Sequence, residues 1–248
     1  MKNSYGIMTI VLVLASVAFT KSLYVSTHPS GDITNNGDTI GNIELSPNFD
    51  YVYKRFKTFN SDLDSSTVIT FNKVCKHYHL DTTDKLLELC VGQILLESGA
   101  KHYYPKGHKK EGMLVVSYCG AIGISQIMPN TAYGILKKYA TKEVREEMYG
   151  LGCTSFEFID NNTNKSTLIK MSTDWIKNET NNIVMWGFIM KLTLDKRPDM
   201  LKALVSYNVG LGGMINYVDS GGSLSKHHYI LSIKTKLHTA ENKLNDSY

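Results

Sequence analysis

Gln93-Ile94-Leu95-Leu96-Glu97-Ser98-Gly99 is an apolar helical run that ends in a carboxylate, a hydroxyl and a glycine. Ten residues upstream, Asp81-Thr82-Thr83-Asp84 has the hydroxyl and acid pattern that starts helices. Gly99 is the natural stop. The spacing predicts a helix from about 83 to 98, with Leu86, Cys90, Ile94 and Glu97 along one face. A glutamate delivered by the last turn of a buried helix loses water, which disfavours its charged form and raises its pKa. A carboxyl that keeps its proton near neutral pH suits general acid catalysis. The plain alternative is a surface glutamate closing an ordinary core helix.

Working outward, Val68, Phe71, Val74, Cys75 and Tyr78 repeat at three- and four-residue steps from Ser65 on, which predicts a helix before the central one. Tyr51, Tyr53, Phe56 and Phe59 lie in a segment, Asp50 to Phe59, that is read as a short helix docking on the domain. Beyond Gly99, residues 100 to 118 mix Lys101, Lys106, Lys109 and Lys110 with His102, Tyr103, Tyr104 and His108. This reads as a solvated basic loop or as a surface for a sugar polymer that carries carboxylates. Gly120 and Gly123, three apart, suit tight turning or close backbone approach. Pro129 suits the entry to a helix. Further helices are predicted at about 131–140, 142–149, 180–196 and 199–208, with Ile183, Trp186 or Gly187, and Met190 as a core stripe in the third. A Gly-rich loop is expected from Gly210 to Gly213. No persuasive set of alternating strands is present, so the fold class is mainly α.

At the amino terminus, Lys2 precedes an apolar run from Ile7 to Phe19, and Ser16-Val17-Ala18 fits a small-x-small cleavage site. The run is short for a span of about 20 apolar residues. Residues 1–20 are therefore read as an export signal, with an uncleaved membrane anchor as the alternative. Residues 21–64 are read as a polar linker ending in the docking segment, 65–240 as the helical domain and 241–248 as a polar tail. The expected location is the periplasm or cell envelope, either anchored or secreted.

The chain has 248 residues, 42% of them hydrophobic, which is enough for one sizeable domain. A net charge of only +4 argues against a dedicated nucleic-acid binder and is compatible with a polyanionic partner such as a cell wall. No phosphate loop, dinucleotide fingerprint or His-Glu-x-x-His motif is present. His227 and His228 lack helical ligand spacing and are read as surface residues; no metal is assigned.

Three segments stand in order: Glu97-Ser98-Gly99, then Gly120-x-x-Gly123-x-x-Gln126-Ile127-Met128-Pro129, then Ser206-Tyr207-Asn208-Val209-Gly210. Together they resemble the soluble lytic transglycosylase domain, a lysozyme-like family, over roughly residues 65 to 240. His228-Tyr229-Ile230 is a weaker fourth echo. The resemblance implies a lysozyme-like α-helical domain with a substrate cleft. It implies Glu97 as the single acid/base and Ser98 as a hydroxyl that polarises the sugar N-acetyl group or orients the glutamate. Gln126 and Met128 would floor the cleft. Tyr207 and Asn208 would pack and hydrogen-bond near the carboxylate, and Tyr229 would line the cleft. Two departures are present. Gly123-Ile124-Ser125-Gln126 replaces the usual Gly-Leu-Met-Gln, and the loop from Lys101 to Tyr118 is longer than the common pattern.

The implied partner is the peptidoglycan glycan strand and the implied reaction uses no cofactor. It cleaves the bond between N-acetylmuramic acid and N-acetylglucosamine and leaves a 1,6-anhydromuramyl end. The alternatives are a goose-type lysozyme, with Glu111 as the only carboxylate in the 101–118 loop, and a wall-binding or assembly protein of a secretion, pilus or phage-entry machine.

Four cysteines, Cys75, Cys90, Cys119 and Cys153, complete the inventory. Export implies an oxidising compartment. Cys75 and Cys90 are symmetric about the turn at Thr82-Thr83, so the expected bridge is Cys75–Cys90, leaving Cys119 and Cys153 as a second pair. The competing expectation is that the first two pack as buried thiols.

Overall fold

The computed structural model describes residues 47–161 and 164–246. Residues 1–20, read above as an export signal, and most of the segment read as a polar linker lie outside them. The described chain is mainly helical. Its helices are α1 (Phe49–Lys57), α2 (Ser65–His77), α3 (Asp84–Ser98), α4 (Pro129–Tyr139), α5 (Lys142–Gly150), α6 (Phe158–Asn161), α7 (Lys165–Ile176), α8 (Glu179–Lys196), α9 (Met200–Asp219) and α10 (His228–Asn245). Among the described residues, β pairing is limited to isolated bridges in the segment between α3 and α4, and no helix is long and apolar enough to cross a membrane.

Helix α3 is the axis of the core. Thr83 caps it by accepting from the Leu86 N–H, and Gly99 closes it in the left-handed conformation. The single apolar face expected from the sequence is a simplification. Leu87 and every residue from Leu89 to Leu95 are buried, so the helix is enclosed nearly all round, as a central helix must be. Leu86 is only partly buried. Helix α10 packs along α3, and the approach is close enough to require Gly92. A Cβ there would lie 2.7 Å from Ile233 Cγ2 and 2.8 Å from Leu237. Helix α2 packs on α8, α4 on α7, and α9 on both α8 and α10.

The core extends beyond the boundaries expected from the sequence. Val52 and Phe56 of α1 are completely buried. Phe56 meets Phe71 edge-on at 5.2 Å, and Phe71 stacks on Trp186 at 5.3 Å. The docking segment is thus a core helix, and the folded unit begins before residue 65. At the other end, α10 runs through Asn245, where a polar tail was expected. Its buried residues Tyr229, Ile230, Ile233, Leu237 and Ala240 form a helical stripe. The expected loop at 210–213 is also helical. Gly210, at φ 74 and ψ 163, kinks α9, and the chain resumes helix to Asp219.

All four cysteines are free thiols, so neither expected disulfide is formed. Cys75 and Cys90 do face each other, and burial together with the neighbouring Cys90 thiol pushes the Cys75 pKa well up. Cys90 Sγ is directed to the Leu80 carbonyl at 3.9 Å. The pair packs as small buried hydrophobic residues with weak polar contacts. Cys119 is exposed, while burial raises the Cys153 thiol to about 12.

Candidate active site

The last turn of α3 delivers Glu97 in a half-buried position. Burial raises its carboxyl from 4.5 to about 7, and a hydrogen bond donated by the Tyr229 hydroxyl to Oε1 opposes part of that rise. Tyr229 is held in the first turn of α10. Its N–H is accepted by Nδ1 of His227 at 3.2 Å, which caps the helix. His227 is buried in this role rather than standing on the surface as the sequence suggested. Burial, with the negative charge of Glu97 nearby, pushes both Tyr229 and Tyr207 well above the ordinary phenol range. Both tyrosines are therefore neutral hydroxyls at pH 7.

A second polar group, Gln93, sits one turn before Glu97 on α3 and has no solvent exposure. Its Oε1 accepts from Trp186 Nε1 at 3.0 Å, and its Nε2 points to the Tyr229 hydroxyl at 3.4 Å. A line of polar atoms thus runs from Trp186 through Gln93 and Tyr229 to Glu97. Sequence reasoning quoted Gln93 but gave it no role. The available signal was an amide in an otherwise apolar run, four residues before the carboxylate.

The segment between α3 and α4 is anchored to the core by Asn182 of α8. This amide is wholly buried and fully used. Its Oδ1 accepts from the Ser125 N–H at 3.0 Å and the Ser125 hydroxyl at 2.6 Å. Its Nδ2 donates to the Ile122 carbonyl at 3.0 Å and the Ile176 carbonyl at 3.1 Å. His102, also buried, completes the knot. Its Nε2 donates to the Lys177 carbonyl at 2.7 Å and its Nδ1 accepts from Ile124 N–H at 3.2 Å. Those two partners fix the neutral tautomer, and burial lowers its pKa in the same sense. Gly123 is required here twice over. Its φ is +76, and a Cβ would lie 2.6 Å from His102 Cε1 and 2.8 Å from Asn182 Nδ2.

This arrangement changes several expected roles. The Ser98 hydroxyl donates to the Ile124 carbonyl at 2.6 Å and accepts from Lys101 N–H at 3.1 Å. It ties the segment to the end of α3 rather than addressing Glu97. Ser125 turns its hydroxyl into the core toward Asn182, so it serves packing. Gln126 adopts a positive φ of 52 and donates from Nε2 to its own loop, at Gly123 O, 2.7 Å away. Tyr207 donates to the Ser125 carbonyl at 2.7 Å, which joins the knot to the surroundings of Glu97. Met128 is the N-cap position of α4 and is partly buried. Asn208 is exposed and makes no side-chain hydrogen bond among the described residues, so it is not drawn into the site. Glu111 is exposed and accepts from Gly107 N–H at 2.8 Å within its own loop. Among the described residues no group of His, Cys, Asp and Glu has the arrangement of a metal site.

The arrangement can hold a proton on Glu97 near neutral pH and stabilise the carboxylate that remains when the proton leaves. That is acid chemistry followed by base chemistry at one group. Comparison with protein-family models, with curated proteins and with solved structures gives no match to this chain.

Proposed function

We propose that this protein is an exported lytic transglycosylase with a lysozyme-like fold that cleaves the glycan strands of peptidoglycan. The observation that carries the reading is Glu97 itself: a carboxyl raised to about 7 by burial at the end of the central helix, with a tyrosine hydroxyl as hydrogen-bond donor. Most glycosidases divide acid and base between two carboxylates. One carboxyl that titrates near neutrality can serve as both in succession.

In the proposed reaction Glu97 protonates the oxygen bridging N-acetylmuramic acid and N-acetylglucosamine. The glycosidic bond breaks while the adjacent N-acetyl oxygen supports the positive charge at the anomeric carbon. Ionised Glu97, stabilised by Tyr229, then accepts the proton of the muramyl C6 hydroxyl as that oxygen bonds to the anomeric carbon. The proton returns to Glu97, no water is consumed, and the product is a 1,6-anhydromuramyl end.

Digestion of purified peptidoglycan with mass analysis of the fragments tests the proposal. Anhydro ends, one water lighter than hydrolytic ends, are the expected product, and they should be absent with Glu97→Gln. Reducing ends of normal mass would make the protein a hydrolase. Undegraded strands would remove the activity altogether.

A further inference from the structure

We propose that Gln93 is a positioning residue: it directs the single hydroxyl hydrogen of Tyr229 onto Glu97, so that the carboxylate left after proton delivery is held ready for the second transfer. The inference deepens the proposed function and relies on it for its catalytic meaning.

A count of donors and acceptors fixes the direction of each bond. An indole N–H can only donate. Trp186 has no solvent exposure and stacks on Phe71, so its N–H is fixed, and it is satisfied by Oε1 of Gln93 at 3.0 Å. The amide orientation of Gln93 is thereby set, with Nε2 toward Tyr229. The 3.4 Å separation is long for a hydrogen bond, so its importance lies in polarity rather than strength. Tyr229 Oη meets an N–H on that side and can only accept there. Its one hydrogen is left for Oε1 of Glu97. With the amide reversed, the Gln93 carbonyl would compete for the same hydrogen, and the Glu97 carboxylate would lose its donor.

The cost of the arrangement supports the assignment. Burying an amide is unfavourable unless its polar atoms are paired, and Gln93 has both ends engaged, on Trp186 and on Tyr229. Gln93 and Glu97 are four residues apart, so both lie on the α3 face that meets Tyr229. Among the described residues, the titratable groups that feel the Glu97 charge are Tyr229 from α10 and Tyr207 from α9. Tyr207 spends its hydrogen on Ser125 O, which leaves Tyr229 as the group whose direction matters.

The test reads the Glu97 carboxyl by carbon NMR titration of the full-length protein, which needs no turnover. In wild type the midpoint should fall at about 7. Gln93→Met should raise it, and Tyr229→Phe should raise it by about one pH unit, the size of one lost hydrogen bond to a charged group. The double variant should match Tyr229→Phe alone, because both changes cut one line. A folded Gln93→Met protein with an unmoved midpoint would overturn the proposal. If Gln93→Met does not fold, the wild type carries the test. The Gln93 side-chain nitrogen should titrate with the Glu97 midpoint and cease to do so in Tyr229→Phe; a flat response in wild type would overturn the assignment. Neither readout requires lytic activity, so failure here and failure of the proposed reaction are separate results.

Discussion

Two buried polar clusters lie on either side of Tyr207, and they differ in what they leave unfinished. Around Asn182 every donor and acceptor of the amide is used, and the two partners of His102 hold its ring neutral. Around Gln93 the line of polar atoms ends in a half-buried carboxyl raised to about 7. The first cluster closes a loop onto the core. The second holds a group in a state it would not adopt in water. A saturated neutral network is a structural solution, whereas an ionisable group left near its titration point marks a candidate site for chemistry.

The largest expected effect, on the proposed function, comes from removing the ionisable group of the second cluster. Glu97→Gln preserves size and a hydrogen-bonding head but holds no labile proton. Wall-lytic activity should fall by at least about a hundred- to ten-thousandfold, with the helical circular dichroism retained. Turnover near the wild-type rate in the folded variant would take Glu97 out of the chemistry and erase the distinction between the clusters.

Breaking the first cluster should act on stability instead. Asn182→Leu removes a side chain that satisfies two carbonyls, one backbone N–H and one hydroxyl, all in the core. Leaving several such groups unpaired should cost about 3 kcal/mol or more in a denaturant titration. A loss below about 1 kcal/mol would mean that the knot does not anchor the loop.

The sequence made part of this legible. The cap at Thr83, the stop at Gly99 and the placement of Glu97 between them follow from local chemistry, and α3 has those ends. The need for Gly123 was likewise visible as a glycine, though its neighbours were not. Helix α10 carries a readable stripe from Tyr229 to Ala240, interrupted by lysines and threonines that give it the look of a polar tail. Helix α7 is harder, because its buried face includes Ser172 among polar neighbours. The two polar clusters were beyond reach for a physical reason. Gln93 meets partners 93 and 136 residues away, and Asn182 meets Ser125 from 57 residues away. Residue type shows that an amide can bond, while only the packing of α3, α8 and α10 shows to what.

A smaller effect concerns pH. Glu97 titrates at about 7 when folded and at 4.5 in the ordinary state. The folded form therefore binds the proton more tightly, and its advantage is complete below about pH 4.5, declines as pH rises, and is gone above about 7. Glu97→Gln escapes this cost. At pH 8 the variant should be more stable than wild type by about 1–3 kcal/mol, and the two should converge in acid. Thermal unfolding across pH 4 to 8 measures it. A constant difference over the whole range would show that burial does not strain the wild-type carboxylate.

The smallest expected effect tests the residue that stands between the two clusters. Tyr207 lies close enough to Glu97 for that charge to raise its pKa, yet its hydroxyl is committed to the Ser125 carbonyl at 2.7 Å. If that commitment defines its role, Tyr207→Phe acts first through the knot. One hydrogen bond is lost and a carbonyl in the loop is left without its donor, so stability should fall by about 1 kcal/mol. The ring remains, and with it the burial that raises Glu97. Activity per folded molecule should consequently drop less than about tenfold, and the Glu97 midpoint should hold near 7 because Tyr229, not Tyr207, donates to the carboxylate. Calorimetry, a lytic assay corrected for folded fraction and the carboxyl titration together decide the matter. A Tyr207→Phe protein as stable as wild type but as inactive as Glu97→Gln would move Tyr207 from the neutral cluster into the reactive one.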